Sequence, residues 1–115
     1  MLAMLAAALA TAAKRRLSDF NPQDVANTVW AFATVNYRDE KLFAALARAA
    51  ERRLSDLNPQ EVANTAWALA TVNYRDEKLF AALARAAERR PSDYNPSLIQ
   101  MALWAFSRRE SFFFQ

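Results

Sequence analysis

Gln23, Asn27, Trp30 and Thr34 return 37 residues later as Gln60, Asn64, Trp67 and Thr71. On a helix that advances 100° per residue, the four members of each set share one stripe. Side-chain amides can pair with the edges of nucleobases, and a tryptophan can stack a base for about 1–3 kcal/mol. A second set follows the same interval: Lys41, Arg48 and Arg52, then Lys78, Arg85 and Arg89. Three cations on one helical edge suit a phosphate backbone. Each set also has a plainer account. Asn27 and Asn64 can bridge stacked helices, Trp30 and Trp67 can be core, and the cations can be a solvated helix face.

Other chemistries lack their residues. The chain of 115 residues contains no glycine, cysteine or histidine. Without glycine there is no phosphate cradle or dinucleotide fingerprint. Without cysteine there are no disulfides, thiol nucleophiles or thiolate metal sites. Without histidine the commonest general base and zinc ligand are gone. Asp24, Asp39, Glu40, Asp56 and Glu61 read as caps and loop residues rather than an acid–base pair. The expectation is a non-catalytic protein with no cofactor and no metal. A net charge of +3 and a pI near 9.7 allow an acidic partner without requiring one. No apolar run reaches the roughly 20 residues that cross a bilayer, so no membrane partner is expected.

The elements that carry the two stripes are legible from the same repetition. Residues 17–53 and 54–90 differ at only four positions: Phe20/Leu57, Asp24/Glu61, Val29/Ala66 and Phe32/Leu69. Asn-Pro pairs begin at 21, 58 and 95, and tryptophans stand at 30, 67 and 104. A fixed interval of this size marks stacked supersecondary units. Asn21-Pro22 is a helix start, with the asparagine as cap and proline where its missing amide costs nothing. Asp24 and Glu61 stand three residues after their caps, as in a capping box. Asn36 and Asn73 are the residues to take a left-handed conformation at the helix ends in a chain without glycine. The helices are expected at about 2–16, 22–35, 38–53, 59–72, 75–90 and 96–109, joined by short Leu-Ser-Asp-Leu loops. Val25, Ala26, Val29, Phe32 and Ala33 should be buried from the first helix of the unit, with Trp30 at the border. Leu42, Phe43, Leu46, Ala49 and Ala50 should be buried from the second. The fold class is all-α, a right-handed α-solenoid of antiparallel helix pairs with a 37-residue repeat.

The chain then reads as a single helical-repeat domain over 1–115. It comprises a half repeat at 1–16, full repeats at 17–53 and 54–90, and a degenerate partial repeat at 91–115, as in a fragment of a longer array. Residues 4–16 match KLFAALARAAERR at nine of thirteen positions. That favours a leftover second helix over the other reading, a transit peptide suggested by the absence of acids and the closing Lys14, Arg15 and Arg16. Arg52-Arg53 and Arg89-Arg90 close the later second helices and extend this basic edge. In the third copy Met101 and Ala102 stand where the earlier copies have Asn-Thr. The incomplete ends and Phe112, Phe113 and Phe114 predict self-association.

The stretch NPQDVANTVWAFATVNYRDEKLFAALA resembles the helical repeats of organellar RNA-binding proteins. These are octotricopeptide-repeat proteins, FAST-kinase-like proteins that end in a RAP domain, and a helical-repeat subunit of the kinetoplastid RNA-editing substrate-binding complex. The resemblance covers residues 17 to about 107 and is most specific at Asn-Pro-Gln and Ala-Asn-Thr-x-Trp-Ala. It implies an α-solenoid that holds single-stranded RNA during RNA processing and stabilisation in the mitochondrion, or alternatively the plastid, with protein partners in a ribonucleoprotein complex. Gln23, Asn27, Trp30, Thr34, Gln60, Asn64, Trp67 and Thr71 would then contact RNA, and the six stripe cations its phosphates. The alternative function is a protein–protein interaction scaffold of the helix-pair type.

Overall fold

A computed structural model describes the backbone of residues 1–111 and the side chains of residues 1–108. The described residues form six α-helices and no strand. The helices are α1 (Leu2–Arg16), α2 (Pro22–Thr34), α3 (Glu40–Arg52), α4 (Pro59–Thr71), α5 (Glu77–Arg89) and α6 (Pro96–Ser111). Single 3-10 turns at Leu17–Asp19, Leu54–Asp56 and Pro91–Asp93 link them. The aromatic tail Phe112–Phe114 expected to be sticky lies outside the described residues. No described helix is long and apolar enough to cross a membrane.

The helix starts form as their side chains dictate. Asn21 Oδ1 accepts from the Asp24 amide at 2.7 Å, and the Asn21 amide donates back to Asp24 Oδ2 at 3.1 Å. Asn58 and Glu61 repeat the reciprocal pair at 2.8 and 2.9 Å. Each box satisfies two amides that have no partner inside the helix. At α6 only half remains: Asn95 Oδ1 accepts from the Leu98 amide at 2.9 Å, and leucine offers no acceptor in return.

The helix ends depend on asparagine. Asn36 has φ 55° and Asn73 has φ 58°. At the first, the Tyr37 amide donates to Phe32 O and the Asn36 amide to Ala33 O, both at 3.0 Å. This is the Schellman arrangement, and its usual hydrophobic contact is present as Phe32 against Tyr37, ring centroids 5.8 Å apart. The turn stops α2 at Thr34 and α4 at Thr71, one residue short of the expected 35 and 72.

The second helices begin later than expected. The sequence pattern places them at about 38–53 and 75–90, but they run Glu40–Arg52 and Glu77–Arg89. Asp39 and Asp76 act as caps, each accepting from the amide three residues on, Leu42 or Leu79, at 3.0 Å. Asp39 has a second partner in Lys14 of α1, Nζ to Oδ2 at 3.1 Å. Partial burial pushes the Asp39 carboxyl up, but the Leu42 amide and the Lys14 ammonium outweigh it and hold the group below its ordinary value.

The helices lie in two rows. In the first row α4 packs between α2 and α6; in the second α3 packs between α1 and α5. Contacts of α2 with α3 and of α4 with α5 join the rows. The molecule measures 40 × 34 × 24 Å, and the shortest dimension is about two helix diameters. Every residue expected to be buried is buried, with Ala47 in addition.

The left-handed turns make a direct test. Asn36→Gly should melt at or above the parent temperature, because glycine reaches φ 55° without a Cβ clash. Asn36→Val should lose about 1–2 kcal/mol, read as a melting shift of several degrees.

Candidate functional site

Each row has its own outward stripe. Val25, Phe32 and Val29 turn α2 toward the second row, so Gln23, Asn27, Trp30 and Thr34 face away from it. All four are exposed. On α4, Gln60 is exposed and Asn64, Trp67 and Thr71 are half-buried between neighbours. The cations Lys41, Arg48, Arg52, Lys78, Arg85 and Arg89 are exposed on the outer side of the second row. Two helix layers therefore separate the amide stripe from the cationic one. A single strand lying across α2 and α4 does not reach Lys41 or Arg48.

Trp30 is 43% exposed, which does not fit the core reading, and Trp104 is 42% exposed. Trp67 is half-buried against the core, and its ring lies 6.2 Å from that of Trp104, tilted by 37°. The Arg108 guanidinium sits 5.4 Å from the Trp104 ring centroid. Two aromatic rings thus adjoin across α4 and α6, and a cation stands beside the second. Sequence reading placed the tryptophans at a common register but did not show this pairing between neighbours.

The polar members differ in what they can offer. Thr34 Oγ1 donates to Trp30 O and Thr71 Oγ1 to Trp67 O, both at 2.8 Å. Their hydroxyl protons are engaged within the helix, leaving only acceptor capacity. The Asn27 and Asn64 amides form no hydrogen bond to another described residue. They do not act as interhelical bridges here, and both donors and acceptor stay available. The stripe of α2 carries no charge, so it suits bases better than phosphates. Among the described residues no group of acidic side chains is arranged to hold a metal.

Residues 3–112 match the family model described as RNA-editing substrate-binding complex 6 protein. The chain belongs to that family. The match covers both stripes, the three Asn-Pro starts and all three tryptophans. It supports the RNA-editing complex among the relatives suggested by the motif, and adds nothing for octotricopeptide-repeat or RAP-domain proteins. No curated protein matches the chain.

Because Asn27 is exposed, Asn64 is only half-buried and neither side chain is hydrogen-bonded, both amides should be dispensable for folding. Asn27→Ala with Asn64→Ala should keep unfolding free energy within about 0.5 kcal/mol of the parent in urea titrations. A loss of several kcal/mol would make these side chains structural.

Proposed function

We propose that the chain is a non-catalytic RNA-binding module of RNA editing, which holds single-stranded RNA across the outer face of α2 and α4. The observation that carries this reading is the pair of unbonded amides, Asn27 and Asn64, set beside the tryptophan row on an uncharged face. Trp30 and Trp67 stack bases; Gln23, Gln60, Asn27 and Asn64 contact base edges; Thr34 and Thr71 accept. Family membership supports the process, RNA editing, and work beside protein partners in a ribonucleoprotein complex. The molecule is read as a right-handed α-solenoid of antiparallel helix pairs with a 37-residue repeat, a single helical-repeat domain acting in the mitochondrion.

The cations of the second row take a secondary part. Lys41, Arg48, Arg52, Lys78, Arg85 and Arg89 stand on the opposite outer surface, where they serve solubility or a second polyanion segment. Protein scaffolding is the competing function, and binding data separate the two.

Binding of a short single-stranded RNA should fall about tenfold or more for Trp30→Ala, in line with about 1–3 kcal/mol per stacked base. Asn27→Ala with Asn64→Ala should weaken it without changing the salt dependence, since no counterions are released at bases. Lys41→Gln, Arg48→Gln, Lys78→Gln and Arg85→Gln together should leave affinity and slope nearly unchanged. Fluorescence anisotropy across a salt series reads all three. A flattened slope in the quadruple variant, with the asparagine variant unaffected, would move the RNA to the second row.

A further inference from the structure

Among the stripe residues of α2 and α4, Thr34 and Thr71 are the ones whose hydrogen-bonding sense is fixed. Each hydroxyl bonds to the carbonyl oxygen one turn back, Trp30 O or Trp67 O, at 2.8 Å. A carbonyl offers no proton, so the hydroxyl gives its own, and its oxygen can only accept from anything outside. The amides behave differently. Asn27, Asn64, Gln23 and Gln60 each carry a donor and an acceptor side by side, and turning the amide over exchanges them. They pair with a base edge of either sense and choose little between bases.

The third copy shows where these hydroxyls stand relative to a stacked group. Thirty-seven positions after Thr71 comes Arg108, whose guanidinium lies over the Trp104 ring, 5.4 Å from its centroid. A side chain four residues after the tryptophan thus reaches the indole, as neighbours one turn apart on a helix do. In the first copy that register holds the shorter threonine, and among the described residues no ring or cation lies over Trp30. A base laid on Trp30 where the guanidinium lies on Trp104 brings its edge to the Thr34 oxygen. Thr71 stays half-exposed on α4, which has a first-row helix on each side. An outward hydroxyl at this register therefore does not depend on an uncovered flank.

The chemistry of the bases then decides. Adenine and cytosine carry an exocyclic amine where uracil carries a carbonyl oxygen. The amine donates to the threonine oxygen. The uracil carbonyl meets that oxygen lone pair to lone pair, and the ring N–H of uracil lies between two carbonyls that repel it as well.

We propose that Thr34 and Thr71 make the first row select amine-bearing bases, adenine and cytosine, over uracil. This rests on the reading that RNA stacks on the first row, and adds a preference that stacking alone does not give, since every base has an aromatic face. Cytosine against uracil isolates the effect, because both are pyrimidines of nearly the same size.

Fluorescence anisotropy of the 115-residue chain with oligo(C) and oligo(U) of equal length tests this. Oligo(C) should bind about threefold to tenfold more tightly, the worth of one neutral hydrogen bond. Thr34→Val with Thr71→Val keeps the shape and removes the acceptor, so the two affinities should converge. Thr34→Ser with Thr71→Ser keeps a hydroxyl that can bond back to the same carbonyl, and the preference should return. Thr34→Ala with Thr71→Ala replaces the valines if circular dichroism shows a loss of helix. Equal affinity of the parent for both oligomers, or tighter binding of oligo(U), overturns the proposal and leaves RNA binding on the first row standing. A preference that survives removal of both hydroxyls does the same. Failure to bind either oligomer removes RNA binding itself, and the proposal with it.

Discussion

Close approach through alanine is the interaction on which the rest of the structure depends. Ala26 and Ala33 of α2, Ala63, Ala66, Ala68 and Ala70 of α4, and Ala102 and Ala105 of α6 are all buried. Small side chains let the first-row helices come near enough for extensive backbone contact, and each alanine buries little apolar area on its own. A single thirteen-residue helix of this composition is marginal in water, so each one is held by its neighbours. The larger side chains Leu42, Leu46, Leu69, Leu79 and Leu83 fill the layer between the rows. Stability is therefore cumulative along the row, and weakest where a face is left open.

The same crowding decides which residues remain on the outer surface. With the flanks of α4 closed by alanine and one side turned to the second row, Gln60, Asn64, Trp67 and Thr71 occupy the arc that is left. On α2 the corresponding residues are more exposed because one flank is uncovered. The second-row helices are amphipathic about a different axis, with leucine and phenylalanine inward and Lys41, Arg48 and Arg52 outward. Cations and amides are thus kept on separate surfaces by packing alone.

Much of this was legible in the residues. Asn21-Pro22 with Asp24 announced a capped start, and the absence of glycine made Asn36 and Asn73 the candidates for positive φ. The second copy, different at only four positions, marked the inward faces. Other features were hidden for physical reasons. Asp39 fits either the first turn or the cap, and only its bond to the Leu42 amide distinguishes them. Its link to Lys14 was not visible because the later copies have glutamate at the matching position. The engagement of Thr34 and Thr71 with their own helices depends on a rotamer, which composition does not encode. The pairing of Trp67 with Trp104 depends on how α4 meets α6, a tertiary contact between non-adjacent segments.

The central claim is that RNA lies on the first row and not on the cations of the second. Photocrosslinking with a short single-stranded RNA carrying 4-thiouridine, followed by peptide mapping, tests it most directly. The account predicts crosslinks in residues 22–34 and 59–71, centred on Trp30 and Trp67. Crosslinks confined to residues 40–52 and 77–89 would contradict it.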